Sequence, residues 1–148
     1  VPAVAAQLAD AVVAELNAHA FSQSFAAVRS WAPRFDLKNL TGLHVTVAHS
    51  GVTSLRADRD TVEDEHTIEI GVQQKLASIE PAAVDPLAAL LEEIKAFLDG
   101  RPRLAGFPAA AWTRSSLVAT ALPEHLRELR QYTGVASIHY AVQIESAA

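Results

Sequence analysis

His66-Thr67-Ile68-Glu69-Ile70-Gly71-Val72-Gln73-Gln74-Lys75-Leu76 is the clearest strand in this 148-residue chain. Ile68, Ile70, Val72 and Leu76 fall on one side of an extended backbone, and Thr67, Glu69, Gln73 and Lys75 on the other. A strand with one polar face belongs in a mostly antiparallel sheet that helices cover on one side only. Ala136, Ile138, Tyr140, Val142 and Ile144 repeat the pattern near the C-terminus against Ser137, His139, Ala141, Gln143 and Glu145. Upstream, Leu43, Val45 and Val47 alternate with His44, Thr46 and Ala48. Two weaker strands are expected at 25–31, ended by Pro33, and at 112–120. Residues 36–40 read as one helical turn, and 101–111, rich in Pro, Gly and Ala, as a loop.

The helices that should cover the sheet show a period near 3.6. Val4, Leu8, Val12 and Leu16, with Val13 beside them, form a stripe after Pro2, and Gln7, Asp10 and Glu15 are expected on the exposed side. The second helix is better punctuated. Asp85 suits an N-cap and Pro86 the first helical position, and Gly100 and Pro102 stop it. Its stripe is Leu87, Leu90, Leu91, Ile94, Phe97 and Leu98. A short helix is expected at 123–130. The order is helix, three strands, helix, strand, short helix, strand. It defines a single α+β domain over 1–148, with a mostly antiparallel sheet and two main helices packed on one face.

Composition bounds the function. Half the residues are hydrophobic and a fifth charged, which excludes a disordered chain. No apolar run approaches the ~20 residues of a membrane span, so no membrane partner is expected. With no cysteine, disulfide scaffolds and thiolate sites are excluded. The net charge of −5, with scattered Lys and Arg, argues against a DNA-gripping surface. No secretory signal is visible after Val1, and the lack of any Met suggests processing before it.

No phosphate-cradling glycine loop, HExxH, GxSxG or EF-hand loop occurs. Residues 50–65 hold Arg56, Asp58, Arg59, Asp60, Glu63, Asp64 and Glu65 with few large apolar side chains, and read as a long charged loop. His66 beside Asp64 and Glu65 could make a carboxylate–imidazole metal site, though a solvated loop accounts for the same residues. Asp58 and Asp60 alternate with arginines that compete for them, so mutual charge pairing is preferred to metal binding. His44 and His49 lie five apart on a strand and point to opposite faces. His19, His125 and His139 have no partner close in sequence. Burial is the ordinary expectation for Trp31 and Trp112, with a subunit interface as the alternative for Trp112.

The succession of patches is the most informative feature. Phe25-x3-Arg29-x-Trp31-x-Pro33-x-Phe35-Asp36-Leu37-Lys38-x-Leu40 is followed by Leu43-x-Val45-x-Val47 and by Ser54-Leu55-Arg56. Then come Ile68-x-Ile70-Gly71-Val72-Gln73-x-Lys75-Leu76 and Asp85-x-Leu87-x2-Leu90-x-Glu92-Glu93-Ile94. This order resembles the tail-terminator proteins of long-tailed bacteriophages, also described as minor tail or head–tail joining proteins. The resemblance covers most of the chain and is weakest at 112–120. It implies a structural virion protein without cofactor or metal, not an enzyme. Such a protein forms a homo-oligomeric ring, a hexamer as a rule, at the head-proximal end of the tail tube. Its partners are the tail tube protein and the head–tail connector, with DNA passing only as cargo.

Under that resemblance Arg56, Asp58, Arg59 and Asp60 would contact the tube or a neighbouring subunit. Trp112 and Arg114 would lie at an interface, and Glu69, Gln73, Gln143 and Glu145 would face a lumen. The alternatives are a head-completion or connector protein of similar fold, and a small metal-dependent enzyme built on His66 and the acidic residues beside it.

Overall fold

The computed structural model describes residues 3–31, 42–56 and 58–145. The turn expected at 36–40 and Pro33 lie outside them. In chain order the elements are α1 (Val4–Ala18), β1 (Ala27–Arg29), β2 (His44–Arg56), β3 (Thr61–Lys75), α2 (Pro81–Asp99), β4 (Arg103–Leu104), β5 (Phe107–Ala119), α3 (Pro123–Leu129) and β6 (Gln131–Glu145). The strands make one sheet in the order β1-β2-β3-β6-β5-β4. β1 runs parallel to β2, and every other pairing is antiparallel. The α+β class and the mostly antiparallel sheet agree with the sequence reading.

The core forms where the alternating strand residues meet the helical stripes. Val45, Val47, Ile68, Ile70, Val72, Ala136, Ile138 and Tyr140 pack with Leu8, Val12 and Leu16 of α1 and Leu87, Leu90, Leu91, Ile94 and Leu98 of α2. Burying one such Leu or Ile side chain is worth about 1.5–3 kcal/mol.

Several boundaries differ from expectation. α2 starts after Glu80 with Pro81 in its first turn, so Asp85 is not a cap and Pro86 lies inside the helix. Pro86 has no N–H for the carbonyl one turn back. The buried leucine stripe that begins at Leu87 outweighs that loss. β5 starts at Phe107, within the stretch expected to be a loop, and β1 keeps only three residues. Glu15 is not on an exposed face. It is 7% exposed, accepts the Ala105 N–H at 2.9 Å and pairs with Arg101 Nε at 3.2 Å, tying α1 to the β4–β5 turn. Trp31 is the reverse case: it is 65% exposed, with the Arg29 guanidinium 5.5 Å from its ring centre.

Candidate functional site: a projecting hairpin and a polar sheet face

The largest correction falls on residues 50–65, which are not a loop. β2 and β3 remain paired from His44↔Gln73 out to Arg56↔Val62, and β6 follows β3 as far as Thr61↔Glu145. A hairpin therefore continues past the core strand residues, and on β2 it is exposed at Val52, Thr53, Ser54 and Arg56. A bulge between His49 and Gly51 marks where β2 leaves the core. Bulges bend and twist the strand that carries them.

The charged residues of this segment build its tip. The Asp58 carboxylate accepts the N–H groups of Asp60 at 2.8 Å and Thr61 at 2.9 Å. Those bonds hold Asp58 below the usual carboxylate range. The Arg56 guanidinium donates to the carbonyls of Asp58 and Arg59, each at 3.0 Å. Arg56 thus braces the turn through carbonyls, where the sequence suggested pairing with carboxylates. Arg59 and Asp60 are exposed at the apex. Below it, Ser54 Oγ donates across the strands to Asp64 Oδ1 at 2.5 Å.

Glu65 and His66 occupy opposite faces, as neighbours on a strand must. On the face away from the core, Glu65 Oε1 accepts from Arg114 Nη2 at 3.0 Å and Oε2 from Thr113 Oγ1 at 3.1 Å. His139 Nδ1 lies 3.6 Å from Glu65 Oε1 and 3.0 Å from Thr67 Oγ1. Arg114 chiefly holds the Glu65 carboxyl below its ordinary range, with help from Thr113 and His139 against partial burial. A group lowered this way stabilises the fold above its unfolded pKa near 4.5, and the gain disappears as pH falls through the lower folded value. Because Arg114 is 66% exposed, the pair is worth at most about 1 kcal/mol. Arg114→Ala should therefore lower the melting temperature slightly at pH 7. The two proteins should match once Glu65 is protonated in both, well below pH 4.5, which a pH series of thermal melts would show.

On the core face, His66 meets His49 across the strands, with His49 Nε2 2.9 Å from His66 Nδ1. His66 is 4% exposed, and its Nε2 is buried with no hydrogen-bond partner among the described residues. Burial lowers both imidazole pKa values; His66 lowers His49 further, and Asp64 partly opposes the shift at His66. Unfolded histidines bind protons near pH 6.5 and the folded pair binds them only at lower pH, so stability should fall as pH drops from 6.5 toward the folded values. The double substitution His49→Gln and His66→Gln should flatten thermal stability across pH 8 to 5. An unchanged slope would assign it to His139, which burial also lowers. No group of three His, Cys, Asp or Glu side chains able to hold a metal occurs among the described residues.

The other predicted positions are scattered. Gln73 is 1% exposed, opposite Thr133 in β6, so it is not on a solvent-facing surface. Its strand pattern is polar, but the lower part of that face is buried, Thr46 and Thr133 included. Glu69 is half-buried on the same face and Gln143 is exposed, while the side chain of Glu145 lies outside the description. Trp112 packs partly on the core, and its Nε1–H donates to Ser115 Oγ at 2.7 Å. Two histidines without sequence neighbours find partners in space. His125 Nδ1 is 2.7 Å from Thr133 Oγ1, and His19 stacks on Phe97.

Beside the polar network, Ala109, Ala111 and Ala141 floor a shallow concavity of about 340 Å³, edged by Glu63, Arg103, Thr113 and Gln143. It is open and lacks the enclosed apolar lining of a small-molecule pocket. No helix among the described residues is long and apolar enough to cross a membrane.

No protein-family model matches the sequence, and no curated protein matches it. The fold does match solved structures. One is the sheath/tube terminator of the PVC extracellular contractile injection system, determined by cryo-EM in the extended state, with a TM-score of 0.54 and 14% identity. The match covers 98% of this chain and 58% of the terminator's. The chain therefore has a terminator-like fold and spans a little over half the length of that neighbour.

Proposed function

We propose that this chain is the terminator of a tail-like tube. In this reading copies assemble into a ring, expected to be a hexamer, on the last ring of the tube and stop its growth. The outer face of the ring receives the next component, which in a phage is the head–tail connector. The observation that carries the reading is the fold match over 98% of the chain to a protein solved as a sheath/tube terminator. The braced hairpin supports it, because a ring that must seat on another ring needs a rigid projection whose tip presents charge. Arg56, Asp58, Arg59 and Asp60 form that tip and are the proposed tube contact. Glu69, Gln143 and Glu145 are the proposed lumen residues, facing DNA where the tube carries DNA. The negative charge of Glu69 and Glu145 lets phosphates slide, because gripping would need clustered cations.

The test is end-specific capping. Tail tubes from the same system, mixed with the gold-labelled protein and imaged by negative stain, should carry label at one end only. Label along the whole tube, or none at either end, would overturn the reading.

A further inference from the structure

Among the described residues the sheet leaves two stretches of strand edge open, one at each end of its order, and we propose that they pair with each other between neighbouring copies of this chain. This rests on the ring reading and names the surfaces that close it. β1 covers β2 only from Val45 to Val47, with Ser30 N–H adding one bond to the Val47 carbonyl at 2.9 Å. From 48 to 56, β2 is paired only with β3 among the described residues. At the far end β4 meets β5 only at Phe107 and Ala111, and the Trp112 N–H reaches the Pro102 carbonyl at 2.9 Å. From 113 to 119, β5 is paired only with β6 among the described residues.

Open edges are normally blunted by lysine, proline or strong charge. Here 48–55 holds no Lys, Pro, Asp, Glu or Arg, and 113–119 holds one cation, Arg114, which is bound to Glu65. Each edge also exposes a large apolar side chain, Val52 at 47% and Val118 at 61%. Bulges at Trp112/Arg114 and Leu117/Ala119 confine regular pairing on β5 to the few residues between them. These are two different surfaces on one chain, which is the requirement for a head-to-tail contact that closes into a ring.

Strand direction agrees. β2 is antiparallel to β3, β3 to β6 and β6 to β5, so β2 and β5 run in opposite senses. In a ring every copy keeps the same orientation along the axis. The β5 of one copy would therefore meet the β2 of the next as an antiparallel pair. The two open stretches are also staggered along the sheet. Ala48 to Arg56 lies level with the β3 residues Glu69 to Val62, whereas Arg114 to Ala119 lies beside the β6 residues His139 to Val135. A sheet that closes on itself requires such a stagger, because its strands tilt by about 35–45° to the axis.

The absence of cysteine gives a clean test. One cysteine is placed at Thr53 and a second is walked through Arg114, Ser115, Ser116, Leu117 and Val118, one chain carrying both. Antiparallel neighbours bring paired Cα atoms to about 4.5–5.5 Å, within disulfide range. Oxidation should give a covalent ladder that stops at the ring number in at least one of the five double variants. Each single variant should give none, because the contact joins unlike surfaces. Thermal melts of the reduced proteins confirm folding, and the same samples are imaged. Rings without a ladder at any position would overturn the edge pairing and leave the terminator reading standing. A ladder that grows without closing would keep the pairing and overturn the terminator. Neither rings nor ladder, with tail tubes present for the protein to assemble on, would overturn both.

Discussion

Replacing Gly134 with alanine is expected to lower the melting temperature by roughly 5–15 °C, a larger effect than the same change at Gly42, Gly51, Gly100 or Gly106. Gly134 sits in β6 under the ring of Tyr132, and a Cβ there would collide with the Tyr132 hydroxyl, with Tyr132 Cζ at 2.9 Å and with Leu91 Cδ2 at 2.8 Å. Neither neighbour can retreat easily. Tyr132 is fully buried and its hydroxyl donates to the Thr120 carbonyl, while Leu91 is fully buried on α2. Burial also raises the Tyr132 pKa to about 12, so the hydroxyl stays protonated and the bond is kept at any ordinary pH. Overpacking costs about 1–3 kcal/mol, and losing the tyrosine bond adds about 1–3 kcal/mol. A built-in control exists. A Cβ at Gly51 meets nothing within 4 Å, and no described glycine has positive φ, so Gly51→Ala should be neutral or slightly stabilising. Equal melting temperatures for the two variants would show that β6 and α2 are not as closely packed as described.

The sheet, its class and both main helices were legible because their residues are half-buried, and half-burial writes a period into the sequence. Ile68, Ile70 and Val72 are each fully buried beside polar neighbours, and Leu87, Leu90, Leu91, Ile94 and Leu98 line one side of α2. The projecting hairpin left no such trace. Where β2 and β3 pass beyond the core, both faces tolerate polar side chains, so Val52-Thr53-Ser54 and Glu63-Asp64-Glu65 carry no apolar alternation. The only local signal was Asp58-Arg59-Asp60, turn-forming residues whose carboxylate can bond the backbone ahead of it. Contacts that depend on strand pairing were invisible for a different reason. His49 against His66 needs the bulge at Gly51, and Glu65 with Arg114 and His139 needs three strands aligned. Gln73 and Glu15 share a third kind of miss: each is a polar residue in a polar position of its pattern, yet each is buried by elements distant in sequence.

Arg59→Glu is expected to abolish capping of tube ends while leaving the protein as stable as before. The turn does not use the Arg59 side chain to hold its shape. Asp58 and Arg56 supply four hydrogen bonds to main-chain groups, and Arg59 contributes its carbonyl. An exposed substitution at such a position changes stability by within about 0.5 kcal/mol. Its effect on binding is multiplied by assembly. Losing about 1 kcal/mol at each hairpin is modest for one copy. Summed over a ring of about six copies it becomes about 6 kcal/mol, or roughly four orders of magnitude in apparent affinity. Arg59→Lys keeps the charge and should cap almost normally, with greater sensitivity to salt. Asp58→Ala should act differently, because removing the acceptor of two N–H groups loosens the tip and weakens capping with the charge of Arg59 still present. Counting capped ends by negative stain across a concentration series separates the three variants. Capping by Arg59→Glu at the concentration that suffices for the unsubstituted protein would remove the hairpin tip from the tube contact. The contact would then have to lie elsewhere on the ring face, with the polar network of Glu65, Thr113 and Arg114 as the nearest charged surface at the root of the hairpin.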